Sequence, residues 1–149
     1  MASWPLTPAL SRNRESDLLD YHRGTETILL VDDEESLRTV VVDLLSQLGY
    51  RMLSAASGQA ALQAAQEYSG KIDLLVTDVV MNNLSGPELA EQLMKVRPGI
   101  KVIFISGYAD GSLAPHGVLK PGTVLVQKPF TIKILSAKVR EVLGSRDGT

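Results

Sequence analysis

The stretch Lys71-Ile72-Asp73-Leu74-Leu75-Val76-Thr77-Asp78 limits the fold more than any other part of the chain, because an apolar run ends there on a carboxylate. Leu74, Leu75 and Val76 read as a strand buried on both faces, since a half-exposed strand alternates apolar with polar residues. Strands of that kind belong to open α/β sheets, whose ligands bind in the crevice beyond the carboxyl ends of the strands. Asp78 stands at such an end. Alone, an aspartate after one strand reads as no more than the cap of a turn.

The same pattern recurs along the chain. Thr27-Ile28-Leu29-Leu30-Val31 is a second buried-strand run, and it too ends on acid, at Asp32, Asp33, Glu34 and Glu35. Glu34 and Glu35 suit the first turn of a following helix, where they meet the positive end of its dipole and need no functional role. Leu37, Val40, Val41, Leu44, Leu45 and Leu48 then recur every three or four residues, an amphipathic stripe that Gly49 ends. Arg51 to Ala55 is a short strand, and Ser57 caps a small-residue helix running to Gly70. After the central strand, Val79 to Gly86 is a loop. Pro87 opens a helix whose buried face is Leu89, Ala90, Leu93 and Val96. Lys101 to Ile105 is the fourth strand, ending at Ser106, and Thr123 to Val126 is the fifth, followed by Lys128. Ile132, Leu135, Val139 and Val142 mark a last helix ending near Gly144.

Five strands alternating with about five helices predict a parallel sheet wound on both faces. Residues 109–121, with Gly111, Pro115, Gly117 and Pro121, allow only a short or irregular helix. Residues 1–24 read as a linker or tail, 25–144 as one domain and 145–149 as a C-terminal tail. His22 and His116 have no second ligand at metal spacing and read as surface histidines.

Asp32 with Asp33, Asp78, Ser106 and Lys128 leave four different strands at one sheet edge. Carboxylates, a hydroxyl and an ammonium together make good sense as a Mg2+ site beside an anion site, because Mg2+ takes oxygen ligands and keeps several waters. Other classes drop out on composition. Fifteen basic residues against seventeen acidic ones give a formal net charge of -2, with no basic surplus to suggest direct contact with nucleic acid. The chain has no cysteine, hence no thiolate metal site. Its longest apolar runs are four residues, against about 20 for a membrane span, and its start lacks a secretory pattern, so a cytoplasmic location is expected.

The pattern resembles the receiver domains of response regulators, the phosphoacceptor modules of two-component signalling. The resemblance runs from about Thr25 to Leu143. It lies in Leu30-Val31-Asp32-Asp33-Glu34, Thr77-Asp78-Val79-Val80-Met81, Leu84-Ser85-Gly86-Pro87-Glu88-Leu89, Ile105-Ser106-Gly107-Tyr108 and Lys128-Pro129-Phe130. Gln127-Lys128-Pro129-Phe130 and Ser106-Gly107-Tyr108 look most like receivers of hybrid sensor histidine kinases. The resemblance implies a flavodoxin-like strand order 2-1-3-4-5, with Asp78 the residue phosphorylated from a phosphohistidine. By the same resemblance Asp33, Asp78 and the Val80 carbonyl contact Mg2+ and Asp32 acts mainly through a metal-bound water. Lys128 and Ser106 hold the phosphoryl oxygens, and the Lys128–Pro129 bond is cis. The implied partners are a histidine kinase or histidine phosphotransfer protein and a downstream protein. Turnover is limited to Mg2+-dependent self-phosphorylation and autodephosphorylation.

The chain departs from the family at three places. Asn82 and Asn83 stand where many receivers have Pro and Gly, and Leu125 stands where an aromatic switch residue is common. Tyr108, two residues after Ser106, is a candidate to signal instead, its other reading being a half-buried tyrosine over the sheet edge. Two other functions compete: a receiver-like interaction module without phosphate turnover, which the full set of site residues disfavours, and a dehalogenase-type phosphatase. The latter places its nucleophile after the first strand with a second Asp two residues on, a spacing that Asp32-Asp33-Glu34-Glu35 lacks.

Overall fold

The computed structural model describes residues 23–81, 84–107 and 124–144. Five strands, β1 (Thr27–Val31), β2 (Arg51–Ala55), β3 (Leu74–Asp78), β4 (Lys101–Ser106) and β5 (Val124–Gln127), form one parallel sheet in the order β2-β1-β3-β4-β5. Four helices are described: α1 (Glu35–Gln47), α2 (Gly58–Glu67), α3 (Gly86–Val96) and α4 (Ile132–Leu143). This is the parallel, doubly wound sheet expected from the sequence, in the flavodoxin-like order that the resemblance implies.

The unbroken apolar runs follow from a sheet covered on both sides. Ile28 and Leu30 of β1 join Leu74, Val76, Ile103, Ile105 and Val126 on one face, under α1 and α4. Leu29 and Val31 turn to the other, with Leu75 and Phe104 beneath α2 and α3. Alternation exists in space and is invisible in the letters, because both sides of the strand are dry.

Helix ends obey local chemistry. Ser57 accepts from the Ala60 N–H at 3.1 Å, and Thr131 from that of Ile134 at 3.1 Å. Ser85 and Glu88 form a reciprocal capping box at the start of α3. α1 has no side-chain cap at Glu34, a loss of about 1 kcal/mol. Burial of Leu37, Val41, Leu44, Leu45 and Leu48 outweighs it, at about 1.5–3 kcal/mol for each such side chain. Gly49 stops α1 at φ +107°, where a Cβ would strike the Gly24 carbonyl oxygen.

Some expectations are corrected. Val96 is not part of the buried face of α3: it is 53% exposed, on the last turn, where the buried stripe has already ended at Leu93. The next residue, Arg97, turns away to donate to the carbonyls of Ala65, Tyr68 and Gly70. Those bonds accompany an α2 that stops at Glu67 rather than Gly70, with Tyr68 extended. β5 runs on past the expected Val126 to Gln127, while Thr123, its expected first residue, lies outside the described residues. Leu125 is half-buried and packs against the α2/α3 side of the sheet. Asn82, Asn83, Tyr108, His22, His116, the short or irregular helix expected over 109–121 and the 145–149 tail lie outside the described residues. Among the described residues no helix is long and apolar enough to cross a membrane.

Candidate functional site

Strand register assembles the site. Val31 pairs with Thr77, so the next residues, Asp32 and Asp78, leave β1 and β3 at the same level. Asp78 in turn pairs with Ile105, and Ser106 with Gln127, which brings Ser106 and Lys128 to the same carboxyl edge. Backbone bonds continue past the paired residues: Val79 N–H donates to the Ile105 carbonyl at 2.9 Å and Lys128 N–H to that of Ser106 at 2.7 Å. The Lys128–Pro129 bond is cis.

The Lys128 ammonium lies between carboxylates delivered by two strands. Its Nζ is 3.3 Å from Asp78 Oδ2 and 3.2 Å from Asp32 Oδ2. The second contact is an ion pair without hydrogen-bond alignment, so the fully buried Asp32 Oδ2 has no hydrogen-bond partner among the described residues. Asp32 Oδ1 accepts from the Glu34 N–H at 2.8 Å, and Asp78 Oδ1 from the Val80 N–H at 3.4 Å. Ser106 is buried at the end of β4, while Asp33 is exposed at the mouth of the site.

Electrostatics follow from this enclosure. Burial pushes the Asp32 and Asp78 carboxyls above the ordinary aspartate range, against the pull of backbone N–H groups and Lys128. Like charge adds to it: Asp78 acts on Asp32, and Asp33 on Asp78. For Lys128, burial disfavours the ammonium, but Asp32 and Asp78 outweigh burial and raise its pKa above the usual lysine value. Of the two causes that raise these carboxyls, desolvation is the larger and like charge the smaller.

One oxygen from each of Asp32, Asp33 and Asp78 lies within 4.8 Å of the other two. An all-oxygen set of carboxylates, one of them carrying a buried and unsatisfied oxygen, suits a hard divalent cation.

Three features escaped the sequence. Glu34 is not merely a dipole partner of α1: its Oε1 is 3.8 Å from Lys128 Nζ. Arg38 Nη1 donates to the Asp32 carbonyl at 2.7 Å, one turn into α1. Gly86 N–H donates to the Val79 carbonyl at 2.9 Å, and a Cβ at Gly86 would strike the Asp78 carbonyl oxygen. The Asp-Asp-Glu run and the glycine at the head of a helix were the available signals.

Comparison with known proteins bears on the family and the fold. The sequence model described as response regulator receiver domain matches residues 28–140. Sensor kinase CckA of Brucella abortus (strain 2308) is 36% identical over 140 residues, which are 94% of this chain and 15% of that kinase. The chain thus spans a small part of that protein. Response regulator receiver protein CpdR of the same strain is 31% identical over 116 residues, 78% of this chain and 95% of CpdR. The crystal structure of the receiver domain from the hybrid histidine kinase CckA superposes with a TM-score of 0.68 at 37% identity, covering 79% of this chain and 99% of that domain.

Proposed function

Because this chain belongs to the response regulator receiver domain family, we propose that it is a phosphoacceptor in a histidine-to-aspartate relay, with Asp78 as the residue phosphorylated. A carboxylate oxygen of Asp78 attacks the phosphorus of a phosphohistidine. The new P–O bond forms as the P–N bond breaks, and the imidazole leaves with the electron pair. The product is an acyl phosphate on Asp78.

The observation that carries this reading is the Lys128 ammonium, 3.3 Å from Asp78 Oδ2 and 3.2 Å from Asp32 Oδ2. Phosphoryl transfer passes through a loose, metaphosphate-like state, so positioning and charge neutralisation supply most of the catalysis. In this reading Lys128 neutralises charge on the transferring oxygens, and the Ser106 hydroxyl donates to one of them after transfer. Asp33, Asp78 and the Val80 carbonyl would hold Mg2+ directly, with Asp32 acting through water. When bound, Mg2+ supplies the remaining positive charge and keeps the carboxylates ionised.

The donor in this reading is a histidine kinase or histidine phosphotransfer protein in the cytoplasm. Movement of Ser106 toward the phosphoryl group then reshapes the face near β4 and β5 for a downstream protein partner. Residues 25–144 are the unit that carries these steps. The test is incubation of the whole chain with Mg2+ and acetyl phosphate, followed by intact mass. A phosphoryl adduct is expected in the wild type and none in Asp78→Asn. No adduct on the wild type under prolonged loading favours a receiver-like interaction module without phosphate turnover.

A further inference from the structure

Glu34 stands at the rim of the site and reaches into its charge system. Its side chain is 45% exposed, its Oε1 is 3.8 Å from Lys128 Nζ, and Ser36 Oγ donates to its Oε2 at 3.3 Å. Its own N–H is bonded to Asp32 Oδ1 at 2.8 Å, which ties the residue's backbone to the buried carboxylate. Asp32, Asp33, Asp78 and Glu34 are negative there, and Lys128 is positive. The Arg38 guanidinium also lies at this edge, on the Asp32 carbonyl.

Among these described groups four carboxylates face two cations, so a bound divalent ion brings the edge to neutrality. Removing the charge of Glu34 makes the same edge net positive. The other three carboxylates belong to the proposed acceptor and cation site, whereas Glu34 is outside it and open to solvent. Glu34 can therefore act on an approaching phosphoryl donor without taking part in the transfer.

We propose that Glu34 is a specificity-determining residue that disfavours small, doubly charged phosphodonors at Asp78. The inference rests on the phosphoacceptor reading above. A free dianion must cross the rim against the Glu34 charge with only the cations of the site to draw it. A phosphoryl group carried on a protein side chain arrives with binding contributed elsewhere. The interaction is between partly solvated charges several ångströms apart, so its effect is modest and screened by salt.

The experiment uses the full chain, wild type and Glu34→Gln, with saturating Mg2+ and two small donors of different charge. With acetyl phosphate the acetyl–O–P bond breaks, acetate leaves and the Asp78–O–P bond forms. With phosphoramidate the P–N bond breaks and ammonia leaves. Loading rates are read by intact mass at neutral pH. Glu34→Gln is expected to load from acetyl phosphate about three- to tenfold faster than wild type, with a smaller gain from the less charged phosphoramidate. The difference between donors is expected to shrink at high salt, and Glu34→Asp is expected to keep the wild-type ratio. Equal changes for both donors, or none, overturn the role of Glu34 alone. Failure of the wild type to load from either donor overturns the phosphoacceptor reading with it.

Discussion

Lys128 Nζ is 3.3 Å from Asp78 Oδ2, a contact between residues 50 positions apart along the chain. Lys128 is the ammonium that offsets Asp32 and Asp78, so losing it leaves buried negative charge without a partner. In the Lys128→Gln variant, phosphoryl uptake from acetyl phosphate is expected to slow about 100-fold or more. Without Mg2+ its melting temperature is expected to fall, and saturating Mg2+ to restore more stability than it gives wild type. Thermal melts with and without Mg2+, beside loading rates, check both halves. An equal response to Mg2+ in the two proteins would mean that Lys128 is not the main counter-charge.

Asp33 tests the cation site with little risk to the core, since it is exposed while Asp32 is buried. Any ion that binds only the folded state stabilises it according to its concentration relative to Kd. Asp33→Asn is expected to leave the Mg2+-free melt near wild type and to shift the Mg2+ dependence about tenfold or more toward higher concentration. A titration of melting temperature against Mg2+ measures this. Superimposable curves would remove Asp33 from the ligand set.

Gly86 sets helix propensity against packing. An alanine in a helix is ordinarily better than glycine by about 1 kcal/mol. Here the added Cβ would strike the Asp78 carbonyl oxygen and lie 3.1 Å from Val79 Cα, so backbone rather than a flexible side chain must move. Overpacking costs about 1–3 kcal/mol, and it wins. Gly86→Ala is expected to lower the urea midpoint and to slow loading of Asp78 even where the protein is fully folded. A raised midpoint would show that α3 can withdraw from the strand end at no cost.

The sheet, its two covered faces and the convergence of Asp32, Asp78, Ser106 and Lys128 were legible because each leaves a repeated local mark. A strand reads as an apolar run, and a site residue as a polar group where the run stops. What the letters did not carry were contacts between elements. Glu34 has an ordinary place beside a helix start, and only the arrival of Lys128 from β5 gives it another role. Val96 fits the apolar spacing of α3, but that spacing cannot tell that the cover ends one turn earlier. The charged residues Arg97, Glu26 and Arg140 each tie distant segments together and follow no period.

Glu26 and Arg140 join opposite ends of the described fold, and their pairing fixes how stability depends on acid. Arg140 Nη2 and Nη1 donate to Glu26 Oε2 and Oε1 at 2.8 and 3.0 Å, a bidentate pair with both side chains mostly buried. Nη1 also reaches the Tyr50 hydroxyl at 3.0 Å, and Nη2 the Gly144 carbonyl at 2.7 Å. Hydrogen bonding from Arg140, against some cost of burial, lowers the Glu26 pKa from 4.5 to about 2. A carboxyl whose folded pKa is depressed favours the folded state above its unfolded pKa, and that contribution is lost as pH falls through the folded value. Glu26→Gln is therefore expected to be less stable than wild type at neutral pH, by about 1.5–3 kcal/mol as for hydrogen bonds to charged groups. The gap is expected to close between about pH 4.5 and pH 2. Burial raises Asp32 and Asp78, which respond to acid in the opposite sense, so the wild-type curve alone is a mixture. The difference between the two proteins removes that common part. Urea unfolding of both across this range measures it, and a gap that stays constant down to pH 2 would mean that the pair holds by packing and neutral hydrogen bonds rather than by charge.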